Sequence, residues 1–198
     1  MAQTLHYFHA LTHNYGVAII LLTIAIRLVM YPLTHKQTAS MKALQELQPE
    51  MKKIQDKYKD NPEKYQQEVM GLYKKHKVNP MSGCLPLLLQ MPFLIALYQT
   101  LIHATEFKGA PFIWVADLSR PDVILVLLLG LTTYLSQKMS ITDPNQAKTM
   151  AFIPFLMMFM FWTLPAGVIL YIVISNLFTM GQQYMVLKKP ALAKEELK

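Results

Sequence analysis

Acidic residues are missing from the apolar interior of every long hydrophobic run of this 198-residue chain, and charge of either sign is scarce. Charged residues make up 16% of the chain against 53% hydrophobic ones, and mean hydropathy is +0.25. That balance excludes an ordinary soluble domain of this size. The single cysteine, Cys84, excludes an internal disulfide. Set between Gly83 and Leu85 at the head of an apolar run, it reads as a small buried residue. No phosphate-binding Gly-rich loop, HExxH pair or Ser/His/Asp set is present, which points away from an enzyme. His6, His9, His13, His76 and His103 are scattered outside the apolar runs and His35 marks the exit of the first. No Cys, Asp or Glu cluster joins them to close a metal site, and no cofactor is expected. The opening MAQTLHYFHALTHNYG holds no Lys or Arg and so lacks the basic n-region of a signal peptide.

What the chain does have is five apolar runs of membrane-spanning character. They cover 16–34, 79–102, 121–137, 149–164 and 166–186. A span needs about 20 residues, so the third and fourth are short and would ask for local bilayer thinning. Asn79-Pro80 supplies an N-cap and a proline at the first helical position, and Ser119-Arg-Pro-Asp122 gives the third run a capping-box-like start. Basic residues then set the orientation. None precedes Gly16, ten lysines lie in 35–78, two basic residues in 103–120, two in 138–148 and four after Val186. The positive-inside rule predicts an external N-terminal segment (1–15), an external loop (103–120), a cytoplasmic loop (138–148) and a cytoplasmic basic tail (187–198).

The segment 35–78 is predicted to be a cytoplasmic helical hairpin. Met41, Leu44, Leu47, Met51, Ile54 and Tyr58 recur at helical spacing, with Pro49 placed to kink or break the helix. Asp60-Asn61-Pro62-Glu63 marks the turn, and Tyr65, Val69, Leu72 and His76 line one face of the return helix. Ten lysines against six acids leave the hairpin at +4, suited to nascent chains, ribosomal RNA or anionic headgroups. No motif with a base-reading geometry is present. Joined to the spans only at its two ends, the hairpin is expected to move relative to them.

Arg27 is the residue that asks for an explanation. An arginine near a bilayer centre costs roughly 2.5–3.5 kcal/mol, and no acid inside any apolar stretch is available to pair with it. Thr23, Arg27, Tyr31 and Thr34 share one helical stripe. A second stripe in the last run holds Tyr171, Ser175, Thr179 and Gln182, with Asn176 and Gln183 beside it. The second run adds Gln90 and Gln99, and the third Thr132, Thr133 and Ser136. These polar groups gather on the cytoplasmic halves of several runs, which predicts a hydrated groove open to the cytoplasm and the inner leaflet. The candidate groove residues are Arg27, Thr23, Tyr31, Gln90, Thr133, Ser136, Tyr171, Ser175, Asn176, Thr179 and Gln182. A small transporter or channel holding an anionic solute at Arg27 is the alternative. The missing intramembrane acid and the lack of an internal repeat weigh against it.

The chain resembles the YidC-type membrane protein insertases, whose mitochondrial and chloroplast relatives share the arrangement. The resemblance rests on TIAIRLVMYPLT (Thr23–Thr34), the charged hairpin, NPMSGCLPLLLQMPFLIALY (Asn79–Tyr98), DLS (Asp117–Ser119), QKMS (Gln137–Ser140) with Asp143-Pro144, and PAGVILYIVISNLFTMGQQ (Pro165–Gln183). It implies an all-α polytopic protein of the bacterial cytoplasmic (plasma or inner) membrane, five transmembrane helices with a cytoplasmic helical hairpin, N-out and C-in. It implies an insertase and chaperone for small membrane proteins, acting alone or beside the Sec translocon. Nascent membrane proteins are then its substrates, with the ribosome and membrane lipids as further partners. Within the groove it implies Arg27 as the charge, with Thr23 and Tyr171 as the matching threonine and tyrosine.

Overall fold

Prolines and cap residues divide the chain into helices. The computed structural model describes residues 2–79, 85–103, 108–140 and 152–188. The helices are α1 (Ala2–Thr12), α2 (Tyr15–Val29), α3 (Tyr31–Glu46), α4 (Gln48–Lys57), α5 (Pro62–Lys75), α6 (Leu85–His103), α7 (Val123–Ser140), α8 (Ile153–Phe161) and α9 (Ala166–Lys188). No strand occurs among the described residues, only an isolated bridge between Phe112 and Val115. The fold is all-α. Pro80–Cys84, Asp143-Pro144, most of the 138–148 loop and nearly all of the basic tail fall outside the described residues.

The first apolar run differs from the straight helix read for 16–34. Asn14 caps α2 by accepting from the Val17 amide, but α2 ends at Val29 and α3 restarts at Tyr31 with a bend of 69°. Pro32 explains the break: it has no amide to donate, and its ring crowds the carbonyl one turn back. Pro49 acts likewise at Leu47, where α3 ends and α4 begins. Asn61 caps α5 by accepting from the Lys64 amide. By length and composition, Ala166–Val186 in α9 can cross a membrane, and α2 with α3 pass the same test only as a bent pair. The apolar helical stretches Leu88–Ile102 and Val123–Met139 are shorter, and α8 covers nine residues of the fourth run.

Helix α9 is the hub, packing against α7, α2, α3 and α6. At its N-terminal end it shares an apolar core with Ala18, Ile19, Leu97, Leu101, Leu118 and Leu125. The amides of Ala166 and Gly167 donate to the carbonyls of Arg120 and Leu118, so the loop before α7 caps α9. The residues before Gly16 also join this core. Helix α1 packs on α2, Leu5 is buried, and His9 stacks on Tyr15 at 3.7 Å. The segment 36–77 is tied to the bundle at more than its two ends. Lys42 Nζ donates to the Val186 carbonyl (3.3 Å) and Gln45 Nε2 to the Met139 carbonyl (3.0 Å), so the C-terminal half of α3 docks on the ends of α9 and α7. Beyond that anchor, α4 and α5 pack mainly on each other.

Candidate functional site

Along α9 the buried side chains change character. Val168, Ile169, Leu170, Tyr171 and Val173 give way to Ser175, Gln182 and Gln183. The neighbours change in step. Helix α7 passes from Leu125, Val126 and Leu129 to Thr132, and α2 from Ala18, Ile19 and Leu22 to Thr23. Helix α3 adds buried Thr34 and Gln37. One end of the bundle is oily and the other is built from hydroxyls and amides.

Arg27 lies at the boundary, half-buried, and three helices meet on its side chain. Its Nη2 donates to Gln90 Oε1 of α6 at 3.2 Å, and the Tyr171 phenol of α9 faces both residues together with Ser175. No Asp or Glu among the described residues pairs with Arg27. Gln90 Nε2 and Ser175 Oγ are buried, and the Tyr171 phenol is the one polar group that faces them among the described residues, with no well-formed hydrogen bond to either. Buried polar groups are nearly always satisfied, so such loosely held groups leave room for water or another polar molecule. A cation with unused donors and acceptors around it can hold an acidic or otherwise polar group, and it offers no nucleophile or acid–base pair for covalent chemistry.

The other candidates sort by distance from this point. Thr23 is buried one turn before Arg27, with its hydroxyl donating to the Ile19 carbonyl at 2.7 Å. Asn176 Nδ2 reaches Thr133 Oγ1 at 3.1 Å and Thr132 Oγ1 at 3.3 Å, linking α9 to α7, and Ser136 lies one turn further along α7, half-buried. Thr179 donates to the Ser175 carbonyl within α9. Gln182 Nε2 donates to Thr34 Oγ1 at 3.1 Å and ties α9 to α3. Tyr31 departs from its expected stripe. It lies past the break at Met30, is 38% exposed, and sets its ring against His35. Gln99 is exposed on α6. Sequence reasoning missed Gln37, one turn beyond Thr34, which is 5% exposed with both amide atoms unpartnered among the described residues. It sits in a lysine-rich segment whose composition signals solvent, and only the bend at Pro32 turns it inward.

Residues 7–194 match the model of a family described as 60Kd inner membrane protein. The chain is similar to the membrane protein insertase YidC of Geotalea daltonii, 45% identical over 188 residues, covering 92% of this chain and 36% of that protein. Its counterpart from Campylobacter jejuni is 44% identical over 194 residues, covering 95% and 37%. That from Wolinella succinogenes is 47% identical over 181 residues, covering 88% and 34%. The chain thus spans about a third of the length of these relatives. A crystal structure of an active YidC insertase with its first transmembrane domain resolved is similar in fold, with TM-score 0.78 and 29% identity. That match covers 96% of this chain and 45% of the crystallised one.

Proposed function

The chain belongs to the 60Kd inner membrane protein family, that of the YidC insertases, and from that premise we propose that it inserts small membrane proteins by lowering a physical barrier. The observation that carries the proposal is Arg27, a half-buried cation without a counterion among the described residues, held by Gln90 and facing Tyr171. Burying apolar surface of the substrate drives insertion by about 25 cal/mol per Å². The opposing cost is carrying a polar or acidic tail through hydrocarbon. A water-filled, cationic groove entered from the cytoplasm and the inner leaflet shortens that path and attracts acids.

In this reading the five apolar stretches cross the membrane with the N-terminus outside and the lysine-rich α4–α5 hairpin in the cytoplasm. The apolar core of α1, Leu118 and the first turns of α9 closes the outer half. The hydroxyl and amide side chains of α2, α3, α7 and α9 keep the inner half wet. Nascent membrane proteins are the substrates, the hairpin meets the ribosome or the Sec translocon, and no chemical step is involved. Purified protein in liposomes, without nucleotide, should accelerate protease-protected insertion of a small single-span protein over empty vesicles. Anionic solute uptake without insertion would instead identify a transporter and overturn the proposal.

A further inference from the structure

The loop entering α7 carries an apolar point at a backbone position that apolar residues avoid. Phe112 and Val115 exchange both backbone hydrogen bonds at 2.8 Å, leaving Ile113 and Trp114 as a two-residue hairpin tip. Ile113 has φ +50°, in the first central position, where turns with this φ sign take Gly, Asn or Asp. A β-branched side chain there is strained, and it is also 79% exposed. Neither burial nor turn preference accounts for an isoleucine at this site.

Its surroundings show what it meets. Phe112 turns inward and packs so closely on Gly16 that a Cβ there would lie 2.1 Å from its ring, which seats the tip at the start of α2. Trp114 is 45% exposed, and its Nε1 donates to Asp122 Oδ1 at 3.3 Å. The same oxygen accepts from the Leu125 amide and so caps α7. The indole therefore stands at the head of an exposed apolar stripe on α7, Val123, Ile124, Leu127 and Leu131, each 50–54% exposed. Exposed Lys108 and Arg120 lie on either side of it in sequence, Arg120 also pairing with Asp117 at 3.3 Å.

We propose that the Ile113–Trp114 tip is a lipid-inserting anchor. Ile113 enters the acyl boundary of the outer leaflet, Trp114 lies at headgroup level, and Lys108 and Arg120 meet anionic phosphates. Continuity with the α7 stripe argues for lipid as the occupant, since that stripe faces acyl chains wherever α7 spans the bilayer. Tryptophan at the membrane interface, with its ring wet at one edge, is the expected arrangement. The proposal rests on the membrane-spanning reading of α7 given above.

The test uses the full chain with Trp162→Phe, leaving Trp114 as the only tryptophan, in vesicles of phosphatidylcholine and phosphatidylglycerol. Lipids brominated near the headgroup end of their chains should quench Trp114 by more than about half, while iodide in the water should quench it little. Ile113→Asp should cut bromine quenching at least twofold and admit iodide. Ile113→Gly should do the same while raising Tm in detergent by about 2–4 °C as the strain is relieved. Quenching of Trp114 by iodide and not by brominated lipid, or quenching unchanged in both variants, would overturn the anchor. A control with Leu127→Trp in a Trp114→Phe, Trp162→Phe background separates the two readings. Deep-brominated lipid quenches position 127 if α7 spans the bilayer, so a tip that fails beside a quenched position 127 rejects the anchor alone. Failure at both positions rejects the spanning reading as well.

Discussion

Removing the charge at position 27 should cost insertion in proportion to the acidity of the tail that crosses. In Arg27→Ala the guanidinium is lost and Gln90 keeps an unanswered carbonyl, but no acid among the described residues is orphaned, because none of them pairs with Arg27. Two opposite charges 4 Å apart are worth about 4 kcal/mol at an effective dielectric constant near 20 and about 1 kcal/mol in bulk water. Arg27 is half-buried, so about 2 kcal/mol is a fair middle, or roughly 30-fold in rate. A small single-span protein with two acidic residues in its translocated tail should therefore insert ~30-fold more slowly with Arg27→Ala, and a neutralised tail less than about threefold more slowly. Arg27→Lys should keep most activity for both, losing only what depends on the planar fork that holds Gln90. Initial rates of protease protection in proteoliposomes give the comparison. Equal slowing of both tails in Arg27→Ala would mean that the arginine shapes or hydrates the site, and charge attraction would be refuted.

Thermal unfolding in detergent should show Arg27→Ala as stable as the parent or more so, since a cation with no acid partner among the described residues is removed from a partly dry site; a large loss of Tm would mark Arg27 as structural. Gly16→Ala should destabilise by about 1–3 kcal/mol, lowering Tm on the order of 3–9 °C, because the added Cβ falls 2.1 Å from the Phe112 ring. Lys42→Ala with Gln45→Ala should free α3 from the carbonyls of Val186 and Met139, read as faster amide exchange in α3 to α5 with α7 and α9 amides little changed. At Asp117, burial alone raises the carboxyl pKa, but the Ser119 hydroxyl (2.6 Å) and amide (2.9 Å), the Gly109 amide and Arg120 outweigh it and hold the group below its ordinary value. Its stabilisation is thus complete above the ordinary carboxylate range and lost as pH falls through the lowered value. Asp117→Asn should flatten that acid limb of a Tm–pH curve, and an unchanged limb would place its cause elsewhere.

The helical class and the core of α9 were legible because apolar runs without acids have few other uses. Arg27, Gln90 and Tyr171 could be picked out because a charge or an amide stands out against such a background, and they meet in space. The break at Met30 was harder. A proline two residues from the end of an apolar run fits a frayed terminus as well as a 69° bend, and only the packing of α3 on α9 decides between them. That same bend removes Tyr31 from the Arg27 stripe and buries Gln37. Helix α1 was hidden for another reason. Its eleven residues carry no Lys, Arg, Asp or Glu to mark a polar face, and its contribution is chiefly Leu5 reaching the core. The anchoring of Lys42 and Gln45 depends on carbonyls at two distant helix ends, which no local pattern encodes.

A hydrated positive charge at residue 27, reached from the lysine-rich side of the membrane, is what insertion by this route requires. Arg27→Cys in a Cys84→Ser background puts a single thiol at that point, where membrane-impermeant thiol reagents of similar size but opposite charge can be added from that side. The expected result is that both react, and that the cationic adduct restores insertion of the acidic-tailed substrate while the anionic adduct does not. No reaction from that side, or equal rescue by the two adducts, would contradict it.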